Sequence, residues 1–157
     1  MRSRAAADPP ILNRRRENRH RAGPVMRGED LAILIVDDSR AMRLLLGRIL
    51  RPLGEVRIVE ASDAFEAIAA AREAGPAGFD AALLDWSLPG IDPLALVGQL
   101  RAVSPSTPLI MLATHIGADR IVGAVRAGVS NYILKPFTHE MLIEKVRATL
   151  AQARRAA

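Results

Sequence analysis

The chain has 157 residues, half of them hydrophobic, which fits one globular domain with a substantial core. It contains no cysteine, and this excludes disulfide bonds, thiolate metal sites and thiol nucleophiles. No apolar run approaches the roughly 18 residues that cross a membrane, and the N-terminus has no apolar segment of the signal-peptide kind. We therefore expect a cytoplasmic protein without a membrane span.

The net charge of +5 is concentrated near the N-terminus. Of the 22 basic and 17 acidic residues, residues 1–27 contain eight and two, so the remainder has one more acidic than basic residue. Residues 1–28 also combine proline and glycine with little to bury, which predicts a disordered basic leader. The leader is either an arm that binds nucleic acid or acidic lipid or an extension without a function, and we favour the second. The nearly balanced charge of the remainder argues against nucleic-acid binding by the folded domain.

From residue 31 onward, short apolar runs alternate with longer segments of helical periodicity. Continuous apolar runs favour parallel strands covered on both faces, and the alternation predicts five successive strand–helix units. Right-handed crossovers between such units give an open, doubly wound α/β sheet. In chain order, the predicted elements are a strand at Ala32–Val36, a helix at 39–51, a strand at Val56–Val59, a helix at 63–74, a strand at Ala81–Leu84, a helix at 93–103, a strand at Leu109–Leu112, a helix at 118–127, a strand at Tyr132–Leu134 and a helix at 138–153.

Polar residues mark the starts of several predicted helices. Ser39, Asp63 and Asp92 each stand where a side-chain oxygen can cap the first turn of a helix. We assign residues 29–153 to a single domain and residues 154–157 to a short tail.

A second group of polar residues follows the predicted strands. In open α/β sheets, ligands bind outside the carboxyl ends of the strands, so side chains at these ends should meet. Three acidic groups, a hydroxyl and an ammonium group would therefore share one shallow pocket. They are Asp37 and Asp38 after the first strand, Asp85 after the third, Thr114 after Ala113 at the fourth, and Lys135 after the fifth.

The chemistry of these side chains favours a divalent cation. Neighbouring carboxylates repel one another, burial disfavours their charge further, and a cation offsets both effects. Ligands that are all oxygen indicate a hard ion, and Mg²⁺ is the expected cofactor. A carboxylate beside Mg²⁺ and an ammonium group forms a site for a transferred phosphoryl group, for which aspartate is a known nucleophile.

Each of these residues also has a purely structural interpretation. Asp37 and Asp38 could lie in a solvated loop or cap a helix, Asp85 could belong to a turn, and Lys135 could be a surface lysine. However, the chain has only two lysines among its 22 basic residues, and a compact ammonium suits phosphate where a planar guanidinium is bulkier. A phosphatase with an aspartate nucleophile is not favoured, because Asp37-Asp38-Ser39 lacks the Asp-x-Asp spacing.

Four segments, VDDSRAMR, LLDWSLPGID, TPLIMLAT and AGVSNYILKPF, resemble in order and spacing the receiver domain of two-component response regulators. The likeness is strongest to the CheY-like chemotaxis regulators and covers about residues 31–152. It implies a flavodoxin-like fold with five parallel strands in the order 2-1-3-4-5. It also implies that Asp85 accepts a phosphoryl group from a histidine kinase or phosphotransfer protein.

The same resemblance implies roles for the other residues of the pocket. Mg²⁺ would be bound by Asp38, Asp85 and the backbone carbonyl of Ser87, with Asp37 acting through a water molecule. Lys135 would pair with Asp85 and then with the phosphoryl oxygens.

Further implied features concern transmission of the signal. Tyr132 matches the aromatic residue that rotates inward on phosphorylation, and the Lys135–Pro136 bond would be cis. A downstream target would dock on the face formed by the fourth helix, fifth strand and fifth helix. The chain departs from the family at the serine or threonine that bonds the phosphoryl group. The matching position is Ala113, so either Thr114 is brought inward or the hydroxyl is absent.

These features lead us to expect a stand-alone response regulator that signals by docking onto another protein. It would not be a metabolic enzyme, because it would catalyse only the phosphorylation and dephosphorylation of its own Asp85. The alternative is a pseudo-receiver, which keeps the acids but acts as a protein–protein interaction module without phosphate. Ala113 is the feature that points to this alternative.

Overall fold

The structure, a computed structural model, describes residues 30–156. The whole of the predicted leader at residues 1–28 lies outside this range. The elements are β1 (Leu31–Val36), α1 (Arg40–Ile49), a 3₁₀ helix (Arg51–Leu53), β2 (Val56–Ala61), α2 (Ala64–Ala74), β3 (Ala81–Asp85), α3 (Pro93–Val103), β4 (Leu109–Ala113), α4 (Ala118–Ala127), β5 (Asn131–Leu134) and α5 (His139–Ala156). The strands form one parallel sheet in the order β2-β1-β3-β4-β5. This topology confirms the predicted flavodoxin-like, doubly wound fold.

Helices cover both faces of the sheet, which explains why the central strands are apolar at successive positions. All six residues of β1 are buried, with Ile33 and Ile35 on one face and Leu34 and Val36 on the other. The first pair packs with buried residues of α1 and α5, and the second pair packs with buried residues of α2 and α3. Full burial of one such side chain contributes roughly 1.5–3 kcal/mol, so β1 lies at the centre of the core.

The sheet topology creates a crevice at the carboxyl ends of β1 and β3. Val36, at the end of β1, pairs with Ala61 of β2 on one side and with Leu84 of β3 on the other. The crossovers that contain α1 and α2 lie on opposite faces of the sheet, so the strand order reverses at β1. Asp37 follows Val36 and Asp85 follows Leu84, so the two aspartates lie side by side at the ends of neighbouring strands.

The first helix is shorter than predicted. Ser39 caps it, since its side chain accepts a hydrogen bond from Met42 N at 3.3 Å, and the helix ends at Ile49 rather than two residues later. Pro52 has no N–H to donate, and its ring would clash with the carbonyl four residues earlier. The chain therefore continues as the 3₁₀ helix at Arg51–Leu53.

The last helix, α5, is longer than predicted. It continues to Ala156, so residues 154–156 belong to the helix rather than to a tail. Its last turns contain alanine, glutamine and arginine, which are strong helix formers, and Arg154 and Arg155 place positive charge at the negative end of the helix dipole. Neither α5 nor any other helix within residues 30–156 is long and apolar enough to span a membrane.

The N-terminus of α2 allows a test of local stability. Asp63 caps this helix by accepting a hydrogen bond from Glu66 N at 2.8 Å, while the Glu66 carboxylate accepts one from Ser62 N at 2.7 Å. We predict that Asp63→Ala lowers the free energy of unfolding by about 1 kcal/mol, measured by urea denaturation. Glu73→Ala, at an exposed position of the same helix, is the control and should change it by less than about 0.5 kcal/mol. Equal losses in the two variants would contradict the capping role.

Candidate functional site

Three aspartates meet at the carboxyl edge of the sheet. Asp37 follows β1, Asp38 is its neighbour, and Asp85 is the last residue of β3. Carboxylate oxygens of the three residues lie within 4.8 Å of one another. Asp37 and Asp85 are only 3% and 7% exposed, whereas Asp38 is exposed. The cluster therefore has two acids enclosed by protein and one that faces solvent.

Main-chain N–H groups orient the two buried carboxylates. Asp37 Oδ1 accepts a hydrogen bond from Ser39 N at 2.8 Å, and Asp85 Oδ1 accepts one from Ser87 N at 3.0 Å. In both cases the donor lies two positions along the chain, in the turn that follows the strand. These bonds hold both carboxylates in place at the edge of the sheet.

Lys135 brings a positive charge to the cluster from the end of β5. Its Nζ lies 3.4 Å from Asp85 Oδ1 and 3.8 Å from Asp37 Oδ2. Its main-chain N–H donates to Ala113 O at 2.7 Å, which continues the pairing of β4 and β5 up to the pocket. The Lys135–Pro136 peptide bond is cis. One ammonium group facing three carboxylates leaves the cluster with an excess of negative charge.

The environment of Asp37 raises its pKa above the usual value of 3.8. Burial is the main cause, because it disfavours the charged carboxylate, and repulsion from Asp85 and Asp38 acts in the same direction. The N–H of Ser39 and the charge of Lys135 oppose this rise only in part. The negative charge of Asp37 is therefore not fully offset by the groups around it.

The residues of this cluster fit a Mg²⁺ ion. They offer carboxylate oxygens, and the two buried acids are already oriented by hydrogen bonds. Mg²⁺ binds to one or two carboxylates and keeps several waters, and the exposed position of Asp38 leaves solvent access for them. Ser87, whose backbone carbonyl is the third predicted ligand, lies in the loop that follows β3, two residues after Asp85.

The residues predicted to bind the phosphoryl group and to transmit the signal lie on β4 and β5 or just beyond them. Ala113 is the buried last residue of β4, and Thr114 follows it outside the strand and is exposed. Tyr132 of β5 is 37% exposed, and Lys145 Nζ lies 5.6 Å from the centre of its ring. Tyr132 also lines a cavity of about 140 Å³ between α4 and β5.

The sequence does not predict two contacts beside the cluster. Arg43 of α1 donates from Nη1 to the Asp37 carbonyl at 2.7 Å and from Nε to Glu60 Oε1 at 3.0 Å. Arg120 of α4 lies over the ring of Trp86, the residue that follows Asp85, at 5.4 Å from the ring centre. No pattern distinguishes these two arginines from the others in their helices, because their contacts depend on how each helix packs against the strands and loops beside it.

The buried charge of Asp37 generates a pH-dependent prediction. Because its pKa is raised on folding, Asp37 destabilises the fold increasingly as the pH rises through that pKa. Without divalent cations, Asp37→Asn should therefore raise the midpoint of thermal unfolding at pH 7 by a few degrees, and this advantage should shrink towards about pH 4. Scanning calorimetry across this range is the measurement, with Asp30→Asn at an exposed position as the control. A lower midpoint at pH 7 for Asp37→Asn would contradict the prediction.

Comparison with known proteins identifies the family. The family model of the response regulator receiver domain matches residues 33–147. Chemotaxis protein CheY1 of Helicobacter pylori is 37% identical over 124 residues, which cover 76% of this chain and 97% of that protein. Chemotaxis protein CheY of Pseudomonas aeruginosa is 35% identical over 118 residues, which cover 74% and 93% of the two chains. The matches span nearly the full length of both relatives.

Solved structures show the same similarity in three dimensions. A CheY-like receiver domain protein from Methanospirillum hungatei superposes with a TM-score of 0.71 at 30% identity, over 81% of this chain and 98% of that one. Chemotaxis protein CheY4 of Vibrio cholerae gives a TM-score of 0.68 at 26% identity, over 76% and 98%. The chain belongs to the receiver-domain family of two-component response regulators and is CheY-like.

Proposed function

We propose that this receiver domain accepts a phosphoryl group on Asp85 from a histidine kinase or phosphotransfer protein, in a reaction that requires Mg²⁺. One observation carries the proposal: Asp85 lies in a cluster of three acids and faces the ammonium group of Lys135 at 3.4 Å. Charge on the phosphoryl oxygens must be neutralised during transfer, so a nucleophilic carboxylate beside cationic groups suits this chemistry. Two relatives are chemotaxis proteins, which supports a role in signalling.

In the proposed reaction, a carboxylate oxygen of Asp85 attacks the phosphorus of the donor phosphohistidine. An O–P bond forms as the P–N bond breaks, and the imidazole nitrogen keeps the electron pair of the broken bond. The hydrogen bond from Ser87 N to Asp85 Oδ1 holds the carboxylate in place, which reduces the entropic barrier to attack. Lys135 neutralises the phosphoryl oxygens once the Asp85 carboxylate has become an acyl phosphate.

The acidic cluster is the proposed Mg²⁺ site. Mg²⁺, when bound, supplies positive charge next to the carboxylates and the transferred group. We assign Asp38, Asp85 and the backbone carbonyl of Ser87 as the protein ligands, and Asp37 as the outer acid that acts through a water molecule. The raised pKa of Asp37 supports this assignment, because the charge that burial disfavours is the charge that a cation stabilises.

Signal transmission is proposed to run from the phosphoryl group through β4 and β5. Either the Thr114 hydroxyl or the Ala113 backbone binds the phosphoryl oxygens, and Tyr132 turns into the cavity that it lines. A downstream target then docks on the face formed by α4, β5 and α5. The large apolar side chains that these elements expose are Val122, Val125, Tyr132, Leu134 and Met141.

A receiver that acts without phosphate is the second candidate. The observation in its favour is that Ala113, the buried residue at the end of β4, has no hydroxyl to bond a phosphoryl group. Against it, Asp85 and Lys135 form the ion pair that phosphoryl transfer would use. The first proposal is therefore the better supported of the two.

Modification by a small phosphodonor tests the proposed acceptor. The wild-type chain incubated with acetyl phosphate and Mg²⁺ should gain one phosphoryl group, measured by intact-mass spectrometry, and Asp85→Asn should gain none. Asp63→Asn is the control, because it alters another aspartate but preserves a good helix cap, and it should behave as the wild type does. Modification of wild type and Asp85→Asn to the same extent would exclude Asp85 as the acceptor. An unmodified wild type would favour the phosphate-independent candidate.

The role of Thr114 can be tested with beryllofluoride, an analogue of the phosphoryl group. A hydrogen bond to a charged group contributes roughly 1.5–3 kcal/mol, so Thr114→Val should weaken beryllofluoride binding about tenfold or more. Fluorescence of Trp86, the only tryptophan, is the readout. Ser106→Ala, an exposed hydroxyl in the loop before β4, is the control and should have no effect. Unchanged affinity in Thr114→Val would assign the contact to the Ala113 backbone.

A further inference from the structure

We propose that Arg43 is a positioning residue for the metal site, because its hold on the Asp37 carbonyl determines how Asp38 enters the acidic cluster. This role rests on the proposed Mg²⁺ binding and extends it to a residue outside the cluster. Arg43 lies in the first turn of α1, five residues after Asp38, and its side chain is only 14% exposed. Its hydrogen bond to the Asp37 carbonyl is partly shielded from water, which makes it an effective restraint, whereas its bond to Glu60 is exposed.

The guanidinium group of Arg43 connects the acidic loop to β2. Nη1 donates to the Asp37 carbonyl at 2.7 Å, and Nε donates to Glu60 Oε1 at 3.0 Å. Because the group is planar and rigid, a bond to Glu60 also restricts the direction from which Nη1 reaches the carbonyl. On the other side of the residue, Asp37 N donates to Ala61 O at 3.1 Å. The main chain of Asp37 is thus held at both its N–H and its carbonyl.

This restraint acts on Asp38 through the peptide bond that joins the two acids. The Asp37 carbonyl and the Asp38 N–H lie in one plane, so fixing the carbonyl fixes the position from which the Asp38 backbone starts. Asp38 is exposed, and its carboxylate accepts no hydrogen bond from residues 30–156. The orientation of this peptide is therefore a principal restraint on the acid that we propose as a direct ligand.

Charge and position predict opposite effects of removing Arg43. A guanidinium group beside the cluster repels a divalent cation, so charge alone predicts tighter Mg²⁺ binding when the group is removed. Loss of a group that orients a metal ligand instead weakens binding, typically by about 10–100-fold. The direction of the change in Mg²⁺ affinity therefore distinguishes a positioning role from a purely electrostatic one.

The test is the Mg²⁺ affinity of the full chain, measured from amide chemical shifts during titration with magnesium chloride well below the unfolding temperature. Arg43→Met should weaken binding about tenfold. Arg43→Lys keeps the charge but cannot bridge both oxygens, so it should give an intermediate loss. Arg40→Met, which removes an exposed arginine from the same end of α1, is the control and should bind Mg²⁺ as the wild type does or slightly more tightly.

A second variant keeps the proposal testable if Arg43→Met does not fold. Glu60→Gln removes the charged anchor of Arg43 while leaving the arginine in place, and it should weaken Mg²⁺ binding less than Arg43→Met. Unchanged or tighter binding in Arg43→Met, or in Glu60→Gln where Arg43→Met does not fold, would overturn the positioning role. Absence of binding by the wild type would instead overturn the proposed Mg²⁺ site.

Discussion

Two buried carboxylates stand next to each other at the end of the core, and the chemistry of the protein follows from the charge that they carry. Asp37 and Asp85 are almost inaccessible to water, so their charged forms lose hydration and repel each other. Lys135 and two main-chain N–H groups offset part of this unfavourable energy. The raised pKa of Asp37 shows that the compensation is incomplete. This imbalance is the physical basis of our proposal that the site binds a divalent cation and accepts a phosphoryl group.

The fold brings these groups together because strands of one parallel sheet all end at the same edge. The central position of β1 requires it to be apolar on both faces, and its pairing with β3 places the acids on neighbouring strand ends. β5, two strands further across the sheet, contributes Lys135 from the same edge. Only three residues separate β1 from α1, so an arginine in the first turn of α1 can reach back to the acidic loop. Secondary structure, packing and site geometry are thus parts of one arrangement.

The sequence was sufficient to predict the sheet and the convergence of its strand ends, because both depend on strong, local signals. Apolar runs predict parallel strands, and a polar residue directly after such a run must lie at the carboxyl edge. The end of α1 was predicted less well, since leucines on both sides of Pro52 continue the apolar pattern that the proline interrupts. Contacts such as that between Arg43 and Glu60 could not be predicted, because they depend on how a helix and a distant strand pack. The sequence also leaves the contribution of Thr114 open, since the hydroxyl has shifted by one position from the family pattern.

We propose above all that the cluster formed by Asp37, Asp38 and Asp85 binds a divalent cation. Its most direct test is anomalous diffraction from crystals of the chain soaked in Mn²⁺, which prefers the same oxygen ligands as Mg²⁺. We expect an anomalous peak within bonding distance of the Asp38 and Asp85 carboxylates and of the backbone carbonyl of Ser87. Well-ordered density for these residues without such a peak, at saturating Mn²⁺, would contradict it.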